Sequence, residues 1–291
     1  VSPLDDVRTW LGEQVRTRVV GPAGDARRQQ LFDDRGARWF ADDRPIRVVH
    51  SDAAMFVGGL RALLLQSLHP LAMAGVAEHS DYRSDPWGRL QRTADFLAAT
   101  TFGPAAPAQA AIDRVRAVHE RVHGTAPDGR RYAATDPHLL RWVHLAELDS
   151  FLTAHDRYGT ATLTDVERDG YIADMAVIAR KLGVPAPPTS VRGLGDQLKM
   201  YRGELRGTAA ARDAARYLLL QPPIPLAARP AYSVLAAAAV SMLPVWARHQ
   251  LRLPWFPIAE AVAVRPAGDA VTRVLRWAIG PGSAARPAAV R

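Results

Sequence analysis

Between positions 50 and 124 the chain gathers His50, His69, His79, His119 and His123, five of its nine histidines. The last two stand in the string HERVH, four apart, and on a helix that spacing sends both imidazoles from one face. The string satisfies H-E-x-x-H, in which two imidazoles hold zinc while the glutamate, here Glu120, polarises the attacking water. Glu147, on the next expected helix, is the candidate third ligand of a zinc-dependent hydrolase. Against zinc stand Arg114, Arg116 and Arg121, a cationic shell that opposes a dication and suits an anionic cofactor.

Haem fits such a shell, because its iron takes an imidazole, its macrocycle an apolar slot and its propionates arginine. Arg89 and Arg92 lie three apart on the preceding segment with Thr93 beside them, so a guanidinium fork and a hydroxyl can face one pocket. Glu78 and His79 close a nearly apolar segment, where a carboxylate in a dry pocket is a candidate acid/base. A third reading leaves these groups as ordinary helix-surface residues. His69, before a proline, reads as structural; His138, His144, His155 and His249 read as background, with His144 the one able to approach the pocket.

Helices must position these groups. The spacing predicts an N-terminal helix carrying Val7, Trp10, Leu11 and Val15, a charged segment ended by Pro45, and a buried helix over Ser51–Ser67. Pro70 opens a helix to His79, and Asp85–Pro86 and Asp136–Pro137 each pair a capping carboxylate with proline at the first turn. Gly103–Pro104 stops the Trp87–Phe102 helix, and a helix over Ala108–His123 follows, ended by Gly124. Thr164 and Glu167 form a capping box ahead of Tyr171–Leu182. Val191–Arg206 and Ala209–Leu220 follow, then an uncharged stretch, Ala231–Ala247, which is short, interrupted by Pro244 and reads as a buried core helix, not a membrane span. No strand alternation or repeat is evident, so the expected fold is all-α: an N-terminal helical segment (1–44), one helical bundle enclosing the pocket (45–282) and a tail (283–291).

The 291 residues, 48% hydrophobic and 23% charged, are ordinary for a globular domain. Positive charge exceeds negative by eight, nearly all of it arginine, since Lys181 and Lys199 are the only lysines. Such an excess admits nucleic acid, but no compact helix-turn-helix with a basic recognition helix is clear, and no nucleic-acid partner is expected. Absence of cysteine excludes disulfides, thiolate metal sites and iron–sulfur clusters. The acidic, amphipathic N-terminus lacks the form of a secretion signal, so the expected address is cytoplasmic.

The runs HPLAMAGVAEHSDYRSDPWGRLQRTADFLAATTFG, VRAVHERVHG and YAATDPHLLRWVHLAELDSF together resemble the rubber oxygenase (latex-clearing protein) catalytic-domain family, to which the mycophenolic-acid-pathway oxygenase is also related. The resemblance spans about residues 45–260. It implies an all-helical fold around one haem b and oxidative chemistry with dioxygen on a small or moderately apolar organic substrate. By local match it implies His119, the histidine after V-R-x-x, as proximal iron ligand, with His123 the alternative one turn away. Arg89 and Thr93 match the family's pocket arginine and threonine, while Arg92 falls where rubber oxygenases carry a lysine able to reach the distal iron position. A guanidinium is effectively never deprotonated, so Arg92 is expected to bind propionate or polarise oxygen, not to ligate iron. The chain is shorter than the secreted polymer-cleaving members, which points away from polyisoprene. Besides the haem oxygenase, the zinc hydrolase and a non-enzymatic haem carrier stay open, as does a homo-oligomer.

Overall fold

In a computed structural model of the chain, residues 5, 6, 8–10, 12, 13, 17, 36–80 and 82–280 are described. Most of the expected N-terminal helix, the charged segment up to position 35 and the C-terminal tail lie outside them.

The first helices are α1 (Pro45–Ser51), α2 (Ala54–Gln66), α3 (Pro70–His79), α4 (Pro86–Phe102) and α5 (Ala105–His119). The long helix α6 (Pro137–Tyr158), α7 (Asp165–Leu182), α8 (Val191–Tyr201) and α9 (Ala209–Leu220) follow. Helices α3, α4 and α6 each start on a polar side chain that caps a proline-led first turn. Asp85 accepts from the Gly88 amide at 2.9 Å and Asp136 from the His138 amide at 2.8 Å, filling donors that the helix cannot satisfy itself. The Thr164–Glu167 box is closed in both directions, at 2.7 and 3.3 Å. At the end of α7, Gly183 takes φ 100°, the left-handed conformation glycine adopts without steric cost.

The central element is α6. It packs lengthwise on α2 and also meets α1, α3, α7 and α8. Gly58 allows the close approach of α2: a Cβ there would stand 2.9 Å from Phe151 Cδ1 and 3.3 Å from Phe151 Cα. Trp142, Leu145 and Leu148 on α6 are fully buried with Ile112, Tyr171 and Ile172 in one hydrophobic core.

Three expectations need correction. The predicted helix over Ala108–His123 ends at His119; a turn follows, and His123–Thr125 forms strand β1, paired antiparallel with β2 (Arg131–Ala133). The cause is the Pro127-Asp128-Gly129 turn, with Gly129 at φ 85°, and the pairing of Gly124 with Tyr132, where any Cβ would collide with the phenol. The Ala231–Ala247 stretch is two helices, α10 (Arg229–Ser241) and α11 (Val245–Leu251), bent by 119°. Pro244 lacks the amide to continue α10, and buried Arg248 occupies the freed carbonyls of Leu243, at 3.0 Å, and Ser241. Helix α8 stops at Tyr201, not Arg206, and the chain turns so that Glu204 points back at His69 and His138.

A last helix, α12 (Arg265–Ile279), returns over α10. It is fastened by Arg276, which donates to Asp52 from Nη2 at 2.8 Å and from Nε at 3.1 Å. Among the described residues no single helix is long and apolar enough to cross a membrane, though two bent pairs pass by length and composition. The fold is all-α apart from the small hairpin.

Candidate functional site

Helices α4 and α5 form an antiparallel pair joined at Gly103–Pro104. Arg89 lies in the first turn of α4 and His119 is the last residue of α5, each at the end remote from that turn. There Arg89, partly buried, donates to the Ser80 hydroxyl at the end of α3. Burial, and then the like charge of Arg92, lowers its pKa from the usual guanidinium value. His119 is largely enclosed, has no hydrogen-bond partner among the described residues, and burial lowers its pKa, so its ring is held neutral.

Helix α4 packs along α5 and, through its C-terminal end, on α1; it has no comparable packing on α3 or α6. The partly buried apolar side chains Met55, Val76, Phe96 and Leu97 of α2, α3 and α4 pack against the main hydrophobic core. Glu147 on α6 and His50 on α1 are surrounded by protein yet keep partly accessible surface. His50 bridges Thr101 Oγ1 at 2.8 Å and Tyr171 Oη at 3.3 Å, and its ring meets Phe151 edge-on at 5.6 Å. Burial pushes the His50 and His144 imidazoles down to about 3 and the Glu147 carboxyl up to about 7. The Tyr171 phenol is raised well above its usual value by burial and then by Glu147.

Of the haem-site candidates from sequence, Arg89 and His119 are the two whose side chains are largely enclosed. Arg92 and Thr93 lie on the exposed side of α4: Arg92 pairs with Asp85 at 3.1 Å, and the Thr93 hydroxyl donates to the Arg89 carbonyl at 3.0 Å. Glu78 and His79 are exposed at the end of α3 and share the Tyr132 hydroxyl, which donates to Glu78 and lies 3.1 Å from His79 Nε2. Burial, then Glu78, raises that phenol to about 12.

The H-E-x-x-H geometry is not formed. His119 ends α5 and exposed His123 belongs to β1, so the two rings do not share a helix face, and Glu147 stands apart on α6. Among the described residues one trio could hold a metal, His69, His138 and Glu204, with ligating atoms within 4.8 Å of one another. Its hydrogen bonds suit a different role. His69 Nδ1 accepts from the Ala72 amide at 3.4 Å, which leaves the proton on Nε2, directed at Glu204. Ligation through Nε2 would need that proton moved to Nδ1, with Nδ1–H as a donor. With His138 Nε2 at 2.8 Å from the same carboxylate, the trio is a hydrogen-bonded network tying the starts of α3 and α6 to the end of α8.

The sequence gives His50 and Tyr171 no role, marks His144 as the background histidine able to approach the pocket, and offers Glu147 only as a zinc ligand. The available signal was the stripe Leu140, His144, Glu147, Phe151 on α6, where two polar groups interrupt one face of the central helix.

A family model described as the ER-bound oxygenase mpaB/B'/rubber oxygenase catalytic domain matches residues 46–277. No curated protein and no solved structure matches the chain.

Proposed function

The chain belongs to the mpaB/rubber oxygenase catalytic-domain family, and from that premise we propose that it is a haem b-dependent oxygenase acting with dioxygen on a small or moderately apolar organic substrate. The observation that carries this reading is the family match over residues 46–277, within which His119 offers an enclosed imidazole whose pKa burial lowers.

The residues suit the cofactor. His119 offers a nitrogen lone pair that no protein donor among the described residues occupies, as iron ligation requires. Arg89 and, on the exposed side of α4, Arg92 supply cationic forks for the two propionates, Arg92 by sharing its charge with Asp85. Bound haem supplies the iron that activates dioxygen. The protein keeps the His119 ring unprotonated through burial. Thr93, on the exposed side of α4, donates its hydroxyl to the Arg89 carbonyl, and Glu78, with Tyr132 and His79, can exchange a proton with solvent at the end of α3.

Elemental analysis of protein purified from haem-replete cells separates this from the hydrolase. About one iron per chain with no stoichiometric zinc is expected, together with incorporation of labelled dioxygen into product. Stoichiometric zinc without iron would overturn the proposal.

A further inference from the structure

Between Arg252 and Arg265 the chain reads LPWFPIAEAVAV, in which Glu260 is the only charged residue. A helical turn, Pro257–Ala259, runs into a π-helical turn, Glu260–Val264, and on into α12. Glu260 is turned inward: its carboxylate accepts from Arg248 Nη1 at 2.6 Å and from the Phe256 amide at 3.2 Å, and its side chain is 12% exposed. With that charge withdrawn, the outer face is apolar. Trp255 is 53%, Phe256 64%, Ile258 80% and Val262 74% exposed, and Ile258 and Val262 lie one turn apart. Single exposed apolar side chains are ordinary, but large ones following one another along a single hook mark a surface that meets something. The flanks have the opposite character. Arg252 and Arg265 are exposed, with no ion-pair partner among the described residues, and the next carboxylate along, Asp269, is engaged by Arg157 at 3.2 Å.

We propose that this hook is a docking surface for an anionic lipid bilayer. The apolar side chains enter the boundary between headgroups and acyl chains, while Arg252 and Arg265 meet lipid phosphates. Trp255 suits that boundary because its ring can be buried while its indole N–H stays hydrated. The stretch is too short to span, so the protein lies on the bilayer. A second copy of this chain is a poorer occupant: a two-fold contact would set the basic flanks against each other, with no outward carboxylate in the stretch to meet them. The inference stands on this surface and does not depend on the oxygenase reading.

Co-sedimentation of the full chain with vesicles of phosphatidylcholine, alone or mixed with an equal part of phosphatidylserine, tests this at low and high salt. Wild type should partition onto the mixed vesicles at least about tenfold more strongly than onto the neutral ones, and the preference should shrink as salt rises. Ile258→Glu, at a position too exposed to matter for folding, should weaken binding to the mixed vesicles at least about tenfold, and Arg252→Ser combined with Arg265→Ser should abolish the preference for them. Val166→Glu, at an equally exposed apolar position on α7, should bind as wild type does. Equal binding to both vesicle types, including none to either, would overturn the proposal, as would an equal loss in Val166→Glu and Ile258→Glu. A dimer in sedimentation velocity that Ile258→Glu dissociates, without vesicle binding, would also overturn it and make the hook an interface between copies.

Discussion

In haem-free protein, Glu147→Gln is expected to raise the unfolding free energy at pH 8 by up to roughly 3 kcal/mol and to leave it almost unchanged at pH 4. The sign follows from the carboxyl's rise from 4.5 to about 7 on burial. Below pH 4.5 the group is protonated in both states and contributes nothing. As pH climbs through 4.5 to 7 the unfolded chain ionises while the folded chain keeps its proton, so folding loses free energy until the folded carboxyl also ionises. The amide that replaces it never ionises, and the variant's advantage grows across that window. His50 and His144 act oppositely: both are held near 3 from 6.5, so the unfolded state takes up protons first as pH falls and stability drops from about pH 6.5 downward, by several kcal/mol. Urea melts at pH 4, 6 and 8 on wild type and Glu147→Gln measure both. An equal effect of the substitution at all three values would show that Glu147 is solvated.

Arg61→Ala, by contrast, should destabilise the fold, costing about 3–5 kcal/mol at neutral pH. The guanidinium is 3% exposed and donates to Ser150 Oγ at 2.8 Å, Asp149 Oδ2 at 2.7 Å and the Met242 carbonyl at 3.1 Å. It thereby joins α2 to α6 and to the corner between α10 and α11. Truncation strands the Asp149 carboxylate and leaves a cavity where α2 and α6 pack. Arg61→Met, which fills most of the volume, should lose less, and the difference between the two variants in urea reports the packing share. A loss below about 1 kcal/mol for Arg61→Ala would mean water replaces all three hydrogen bonds.

Much of the helical framework was legible because its starts are local chemistry. Asp85–Pro86, Asp136–Pro137 and the Thr164–Glu167 box act within one turn and do not depend on the rest of the fold. Tertiary context decided what was missed. Strands of three residues are too short to show alternation, so the Pro127-Asp128-Gly129 turn read as loop and His123 as helix. Pro244 read as an interruption, but only the packing of Arg248 on the freed carbonyls turns it into a sharp corner. The enclosure of His50, His144 and Glu147 comes from α1, α6 and α7 closing together, and no spacing within one helix records that. Arg92 and Thr93 were read as facing the pocket with Arg89; the turn of α4 leaves them on its exposed side.

The central claim is that His119 is the residue through which this chain holds haem, and a haemin titration of the apoprotein followed in the Soret region tests it most directly. Wild type and His123→Ala should both give a saturating, red-shifted Soret band at one haem per chain, whereas His119→Ala should bind at least about tenfold more weakly or lose the ligated-haem spectrum. A His119→Ala titration indistinguishable from wild type, with the band lost in His123→Ala or in neither variant, would contradict the account.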